Sequence, residues 1–408
     1  MIPRLKPFLD HQEILALFTC QRNTVDEFEQ AFARTFGANY AISYPYGRSA
    51  LWAFFKALGL ENVEVIQPAY TCVVVAHATV LSGNIPRFVD IDLTDYNMNL
   101  DQLEAAINER THVIIATHLF GYPMDINRID EIVRRAEARY GHKIWVIQDC
   151  AHSFGGAWQG KPVVSAGDAA LFGLNISKTI TSIFGGMLTT NAPELARRLR
   201  QWRDANYTRA SIFKSLYRSL YLLAIYPAFN NTLYGFVYWL QEETPLLDFF
   251  TKAYHLDETV HFPPDFQELM MPVEASVGLV QLKKFEDILR RRRENAEFYS
   301  EHLQGVAGLV LPPLVDGATY SHYVVRVKDR VGAMKSLARK GIQLGQLIEY
   351  SVPHMPAYLS YTHGDVFENS LMCSQNTINL PIYPGLQEKT LRDICGVITL
   401  NETWDDPQ

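Results

Sequence analysis

Three segments carry residues whose types could do chemistry together. The first, VIQDCAHSFGG, is an apolar run that ends on Asp149. A carboxylate at the carboxyl end of a buried strand is costly without a cationic or hydrogen-bonding partner. A protonated pyridine nitrogen would be such a partner and would keep that ring an electron sink; a carboxylate capping the next turn is the plainer alternative. The second, LFGLNISKTITSIFGGMLTT, places Lys178 in a polar turn between an apolar run and a Gly185-Gly186 pair. An amine that attacks an aldehyde needs a lowered pKa and a fixed position, and a loop between buried strands can supply both. Its plainer alternative is a solvated surface lysine. The third, YPYGRSALWAFFKAL, runs from a turn at Gly47 into a helix at Ser49. Gly47 permits close backbone approach, and free amides of a first helical turn hold phosphate; the same residues also make an ordinary N-cap.

The elements between these segments explain how they could meet. Short apolar runs at 40–43, 64–67, 85–89, 112–117, 144–149, 169–174 and 186–190 alternate with helical patterns such as 49–58 and 127–140. That rhythm predicts an α/β architecture with a mostly parallel central sheet, whose ligands sit at the carboxyl ends of the strands. The stretch between Asp149 and Lys178 leaves room for one crossover and a strand, so both side chains could reach one pocket. From about residue 275 the pattern shifts to a long helix over 273–303, strand candidates at 321–327 and 376–380, and a helix over 331–340. We read this as a smaller α+β domain. The expected division is an N-terminal arm at 1–20, a large α/β domain at 21–272 with an aromatic-rich insert at 207–262, and a small domain at 273–408. The run Arg290–Arg293 on the long helix, beside Glu286, Glu294 and Glu297, reads as a solvated, ion-paired face.

With 408 residues, 48% of them hydrophobic, and a formal net charge of −7, the chain has no general attraction for nucleic acid or an anionic membrane. Five scattered cysteines without a CxxC argue against a disulfide framework or structural zinc. No signal peptide is read at the N-terminus, and a cytoplasmic enzyme is the expectation.

Taken in order, these segments resemble the DegT/StrS family of sugar aminotransferases, which are fold type I pyridoxal phosphate (PLP) enzymes. The resemblance also runs through DEFEQAFARTFGANYAI, QPAYTCVVVAHATVLSGNIPRFVDID, THLFGYPMDI, VEASVGLVQLKKFEDILRRRRENAEFY and LPIYPGL. It implies that Lys178 forms the Schiff base with PLP and that Asp149 partners the ring nitrogen. His152 matches the position beside the cofactor's phenolic oxygen, and Gly47, Arg48 and Ser49 occupy the phosphate turn. Three departures stand out. Gly173 replaces a phosphate-binding serine, and Cys72 replaces an aromatic ring that stacks on PLP, with Tyr70 two residues earlier. Gln267 replaces an asparagine lent to the phosphate by a neighbouring subunit. Phosphate contacts would then come from Arg48 with Asn175 or Gln267, and weaker cofactor retention follows. The reaction implied is transfer of an amino group from an amino-acid donor, glutamate by resemblance, to a nucleotide- or lipid-linked keto-sugar, in a homodimer. Dehydration of a sugar, or a PLP-fold regulator without turnover, are the competing readings. Dehydratases of the family carry histidine in place of the lysine.

The insert is unusual. Residues 216–240 hold one charged residue, Arg218, and eight aromatic ones, ending with Trp239. Pro227 and Asn230-Asn231 argue against a membrane-spanning helix. Two readings are open. One is peripheral membrane contact through 209–240, with Arg209 and Lys214 at the headgroups. The other is a protein interface or a lid over a partner subunit's site.

Overall fold

The structure is a computed structural model that describes residues 1–21, 23–229, 234–236, 238, 260–362, 364–401 and 404. Helices α1 (His11–Thr19) and α2 (Thr24–Phe36) precede strand β1 (Tyr40–Tyr44). The order then runs α3 (Gly47–Leu58), β2 (Glu64–Pro68), α4 (Val74–Leu81), β3 (Ile85–Val89), α5 (Leu100–Ala106), β4 (Thr111–Thr117), α6 (Ile126–Tyr140) and β5 (Trp145–Asp149). A small hairpin, β6 (Ala157–Trp158) and β7 (Lys161–Pro162), leads to β8 (Ala169–Gly173) and β9 (Gly186–Thr190). Helices α7 (Pro193–Asn206) and α8 (Ile212–Ala228) follow.

Seven strands form one sheet in the order β1-β9-β8-β5-β4-β2-β3, and every pairing except the two made by β9 is parallel. The expected α/β architecture with a mostly parallel sheet is therefore what the chain adopts. Burial explains it: β2, β4, β5, β8 and β9 carry apolar residues on both faces because helices cover both sides. Crossover connections bring the carboxyl ends of β5 and β8 to one edge, with Asp149 opposite Leu171.

The long helix Pro272–His302 is shared by two cores. Phe285 and Ile288 pack with Phe28, Phe32 and Phe36 beneath the main sheet. About two and three turns further on, Ala296 and Tyr299 join the core around the two-stranded sheet β10 (Tyr323–Arg326) and β11 (Thr377–Leu380). Arg292, Asn295 and Tyr299 share a face of this helix. Their side chains donate to the carbonyls of Ser321 (2.8 Å), Tyr383 (3.2 Å) and Pro381 (2.7 Å). The arginine run is thus only partly a solvated face. Arg290 pairs with Asp287 and Glu294, and Arg291 with Asp287. Arg292 is buried, and Arg293 donates to the Ala318 carbonyl at 2.8 Å. A helix turns 100° per residue, so four consecutive arginines cannot all face water.

Candidate active site

Lys178 and Asp149 come together at the carboxyl edge of the sheet. Asp149 closes β5 and is buried. Its Oδ1 accepts from the Ala151 amide at 3.1 Å, and its Oδ2 lies 3.4 Å from the Thr117 hydroxyl that donates to it. Burial raises its pKa, against the Ala151 amide, the Lys178 charge and the Thr117 hydroxyl. Lys178 leaves the turn after β8, where its amide donates to the Asn175 carbonyl at 3.0 Å. Burial lowers its pKa, with Cys72 and Asp149 pulling it back up. A buried amine of lowered pKa spends more of its time as the neutral nucleophile.

The lysine loop is pinned at both ends. The Leu174 amide donates to the Gly185 carbonyl and the Ser182 amide to the Leu174 carbonyl, both at 2.9 Å. Asn175 is used locally, since its Oδ1 accepts from the Ser177 amide (3.0 Å) and hydroxyl (2.7 Å). Gly173, where a serine was expected, lies against the lysine stem: a Cβ there would make an ordinary 3.5 Å contact with Lys178 Cε.

The turn into α3 lies against this loop. Tyr46 is the extended N-cap of α3 and no side chain caps the first amides. Gly186 has to be glycine, because a Cβ would fall 2.3 Å from the Tyr46 carbonyl carbon. Gly47 lies close to Gly173 as well, with 3.3 Å from its hypothetical Cβ to Gly173 Cα. Ser49 is buried and its hydroxyl has no partner among the described residues, as is also true of the buried Thr71 and Thr179 hydroxyls. Arg48 is half-buried, with its guanidinium 5.9 Å from the Tyr46 ring centre.

His152 is tied to the C-terminal part of the chain through Phe120. The Phe120 amide donates to His152 Nδ1 at 3.3 Å, so the ring carries its proton on Nε2. The Phe120 carbonyl accepts from the His322 amide at 3.4 Å, and the two imidazoles lie 5.1 Å apart. Phe120 makes both bonds in a left-handed backbone conformation (φ 55), which a non-glycine residue seldom adopts. Burial holds His152 well below the usual histidine range, helped by the charges of Lys178 and His322.

Tyr70 and Gln267 are placed differently from the other candidates. The Tyr70 hydroxyl bonds Thr377 Oγ1 (2.9 Å) and the Ile348 carbonyl (3.1 Å), so it braces the core around β10 and β11. Gln267 lies on the segment paired with Thr208, whose amide donates to its carbonyl at 2.9 Å. Cys72 is half-buried, and the following amide, of Val73, donates to the Tyr350 hydroxyl at 3.1 Å.

The sequence profile of the DegT/DnrJ/EryC1/StrS aminotransferase family matches residues 13–232 and 248–399. The chain belongs to this family. The expected aminotransferase activity and PLP cofactor follow from that membership. The aminotransferase is 29% identical to dTDP-3-amino-3,6-dideoxy-alpha-D-galactopyranose transaminase of Aneurinibacillus thermoaerophilus, over 92% of this chain and 89% of the relative. It is 27% identical to GDP-perosamine synthase of Escherichia coli O157:H7, over 94% and 91% of the two chains. Its fold matches the sugar aminotransferase CalS13 of Micromonospora echinospora with a TM-score of 0.77 at 22% identity, covering 98% and 99% of the two chains.

Sequence reasoning missed several residues of this aminotransferase's pocket. His322 and Tyr350 approach from the C-terminal part, and Thr117 from the end of β4. Tyr46 was available as the neighbour of Gly47. His322 was also legible, as the polar residue opening the SHYVV strand, but nothing local links it to His152.

Proposed function

We propose that this enzyme moves an amino group from an amino-acid donor, glutamate by resemblance, to the keto carbon of a sugar carried on a nucleotide or a lipid, with Lys178 and Asp149 as its catalytic pair. The names of the two curated relatives, a GDP-sugar and a dTDP-sugar enzyme, support a nucleotide-linked acceptor.

The residues present fit PLP. The uncapped first turn of α3 and the unpartnered Ser49 hydroxyl suit a phosphate dianion. The buried Asp149 carboxyl, raised by desolvation, suits a protonated ring nitrogen, and the Lys178 amine, its pKa lowered by burial, suits an aldehyde. When bound, PLP supplies an aldehyde that exchanges amines and a ring that takes up the electron pair left when a C–H bond ionises. Lys178, once its amine is released, takes the proton from the donor's α-carbon as a general base and returns it as a general acid. Asp149 would hold the ring nitrogen's proton by an electrostatic contact present before the reaction begins. His152, whose Nδ1 is taken by the Phe120 amide, would offer its Nε2–H to the cofactor's phenolic oxygen. Tyr46, Gly47 and Gly173 set the backbone that would hold the phosphate end.

One observation carries the reading: the Lys178 stem and the Ala151 turn that holds Asp149 converge on Gly173, whose hypothetical Cβ would stand 3.5 Å from Lys178 Cε and 4.0 Å from Ala151 Cβ, so that amine and carboxylate act on each other. Supplying purified enzyme with glutamate and a dTDP- or GDP-linked 4-keto-6-deoxysugar tests it, and 2-oxoglutarate should accumulate with the amino sugar. Absence of product with every keto-sugar, alongside no conversion of the cofactor by glutamate, would favour the regulator. The lysine at position 178 stands against the dehydratase reading.

We also place a second copy of the chain on the outer face of α8. Ile212 (87% exposed), Phe213 (83%), Leu216 and Leu220 form an apolar stripe there. Lys214, expected at lipid headgroups, is instead paired with Asp265 (2.7 Å) and Glu268 (2.9 Å) of its own chain, which favours protein over membrane. Among the described residues no helix is long and apolar enough to cross a membrane. Asn230, Asn231 and Trp239 lie outside the described residues.

A further inference from the structure

The one charged residue of 216–240 is not solvated. Arg218, on α8, is buried (5% exposed) among three aromatic rings and two carboxylates. Its Nη2 donates to the Tyr46 hydroxyl at 2.9 Å and to Asp265 Oδ2 at 3.2 Å. Its Nε lies 3.4 Å from Glu274 Oε1, at the start of the long helix. The guanidinium carbon stands 3.7 Å from the centre of the Phe184 ring. Tyr46 in turn donates to Asp265 at 2.8 Å, and its ring meets that of Phe184 edge to face at 6.2 Å. Tyr46 opens the phosphate turn, and Phe184 closes the loop that carries Lys178. One side chain therefore grips both of the pocket's loops from the outside.

We infer that Arg218 is a positioning residue that sets the phosphate turn, through Tyr46, against the lysine loop, and so makes the insert helix part of the cofactor site. This rests on the reading that residues 47–49 hold the cofactor's phosphate. The chemistry requires arginine. A planar fork reaches Tyr46, Asp265 and Glu274 at once while stacking on Phe184, whereas a lysine offers a single nitrogen. Tyr46 stays protonated, because burial raises its pKa first and foremost, so its hydroxyl accepts from Arg218 and donates to Asp265 together. The tyrosine backbone has no freedom to compensate, since Gly186 is packed against it. Without the guanidinium, the first residue of the turn loses its anchor while Lys178 and Asp149 keep theirs. The loss should therefore fall on the phosphate end of the cofactor.

The test compares holoenzymes of the wild type, Arg218→Met, Arg218→Lys and Tyr46→Phe. Each is measured for the rate of PLP loss on dilution and for the ratio of affinities for PLP and for unphosphorylated pyridoxal. The expected result is roughly tenfold faster loss in all three variants and a PLP/pyridoxal ratio reduced by a similar factor, the scale of a lost charge-assisted hydrogen bond. The Lys178-linked chromophore should still form at saturating cofactor. Arg218→Met combined with Tyr46→Phe should add little to either single change. A PLP/pyridoxal ratio unchanged in Tyr46→Phe, which removes one hydroxyl and leaves the fold intact, would overturn the inference even if Arg218→Met fails to fold. Failure of the wild type to form any chromophore at Lys178 would instead overturn the proposed function beneath it.

Discussion

Asp149 is buried, Lys178 is half-buried beside it, and each opposes the other's desolvation: the amine draws the carboxyl's pKa down against the rise that burial imposes, and the carboxylate supports the amine's pKa against its fall. Neither group is comfortable there alone. A cofactor with a basic nitrogen at one end and an aldehyde at the other relieves both.

The first prediction concerns the carboxylate. Asp149→Asn keeps shape and removes charge, leaving the ring nitrogen without its counter-ion. The chromophore should persist while the single-turnover rate with glutamate falls about 10²–10³-fold, the scale of losing one preorganised electrostatic partner. A loss of less than threefold would remove Asp149 from the mechanism.

Cys72 offers a probe of cofactor placement that does not depend on turnover. Cys150, Cys373 and Cys395 are buried, Cys20 is exposed and Cys72 is half-buried beside the lysine. Iodoacetamide followed by peptide mass spectrometry should label Cys20 always and Cys72 only in cofactor-stripped protein. Equal labelling of Cys72 with and without PLP would place the cofactor elsewhere.

Much of this was legible in the sequence because each strand is a short β-branched or aromatic run bounded by turn residues. Strands β3 and β9 have the expected boundaries, and β5 is one residue shorter. Lys178 and Asp149 were legible through their context, each at the end of an apolar run. What escaped was long-range pairing. Arg218 meets Tyr46 and Asp265 across long stretches of chain, and no local pattern announces that a lone arginine in an aromatic helix faces inward. Tyr70 was a candidate by resemblance alone, and nothing local announces that its hydroxyl bonds Thr377 and Ile348, a choice made by tertiary packing.

The apolar stripe on α8 makes a prediction about assembly. Phe213→Asp and Leu220→Asp alter exposed side chains, so each should change monomer stability by no more than about 0.5 kcal/mol. Light scattering should nonetheless show the double variant as a monomer where the wild type is a dimer. An unchanged dimer, with wild-type protein co-floating on liposomes, would return the stripe to the membrane.

Acid sensitivity follows from His118. Its Nδ1 accepts from the Met124 amide and its Nε2 donates to Gln148 Oε1, both at 2.9 Å, so the fold requires the neutral ring. Burial pushes its pKa down to about 4, from an unfolded value of 6.5. The stability this confers is complete above about 6.5 and lost as pH falls through about 4, up to roughly 3 kcal/mol. Urea midpoints measured from pH 7.5 to 4.5 should fall, and the fall should be shallower in His118→Gln. Parallel pH profiles for the two proteins would contradict this assignment.

The most direct measurement is chemical capture of the cofactor on the chain. The enzyme is loaded with PLP, reduced with borohydride, digested and mapped by mass spectrometry. A phosphopyridoxyl group on the peptide containing Lys178, absent from Asp149-intact Lys178→Ala protein, is the predicted result. Modification of a different lysine, or none, in the wild type would contradict the account.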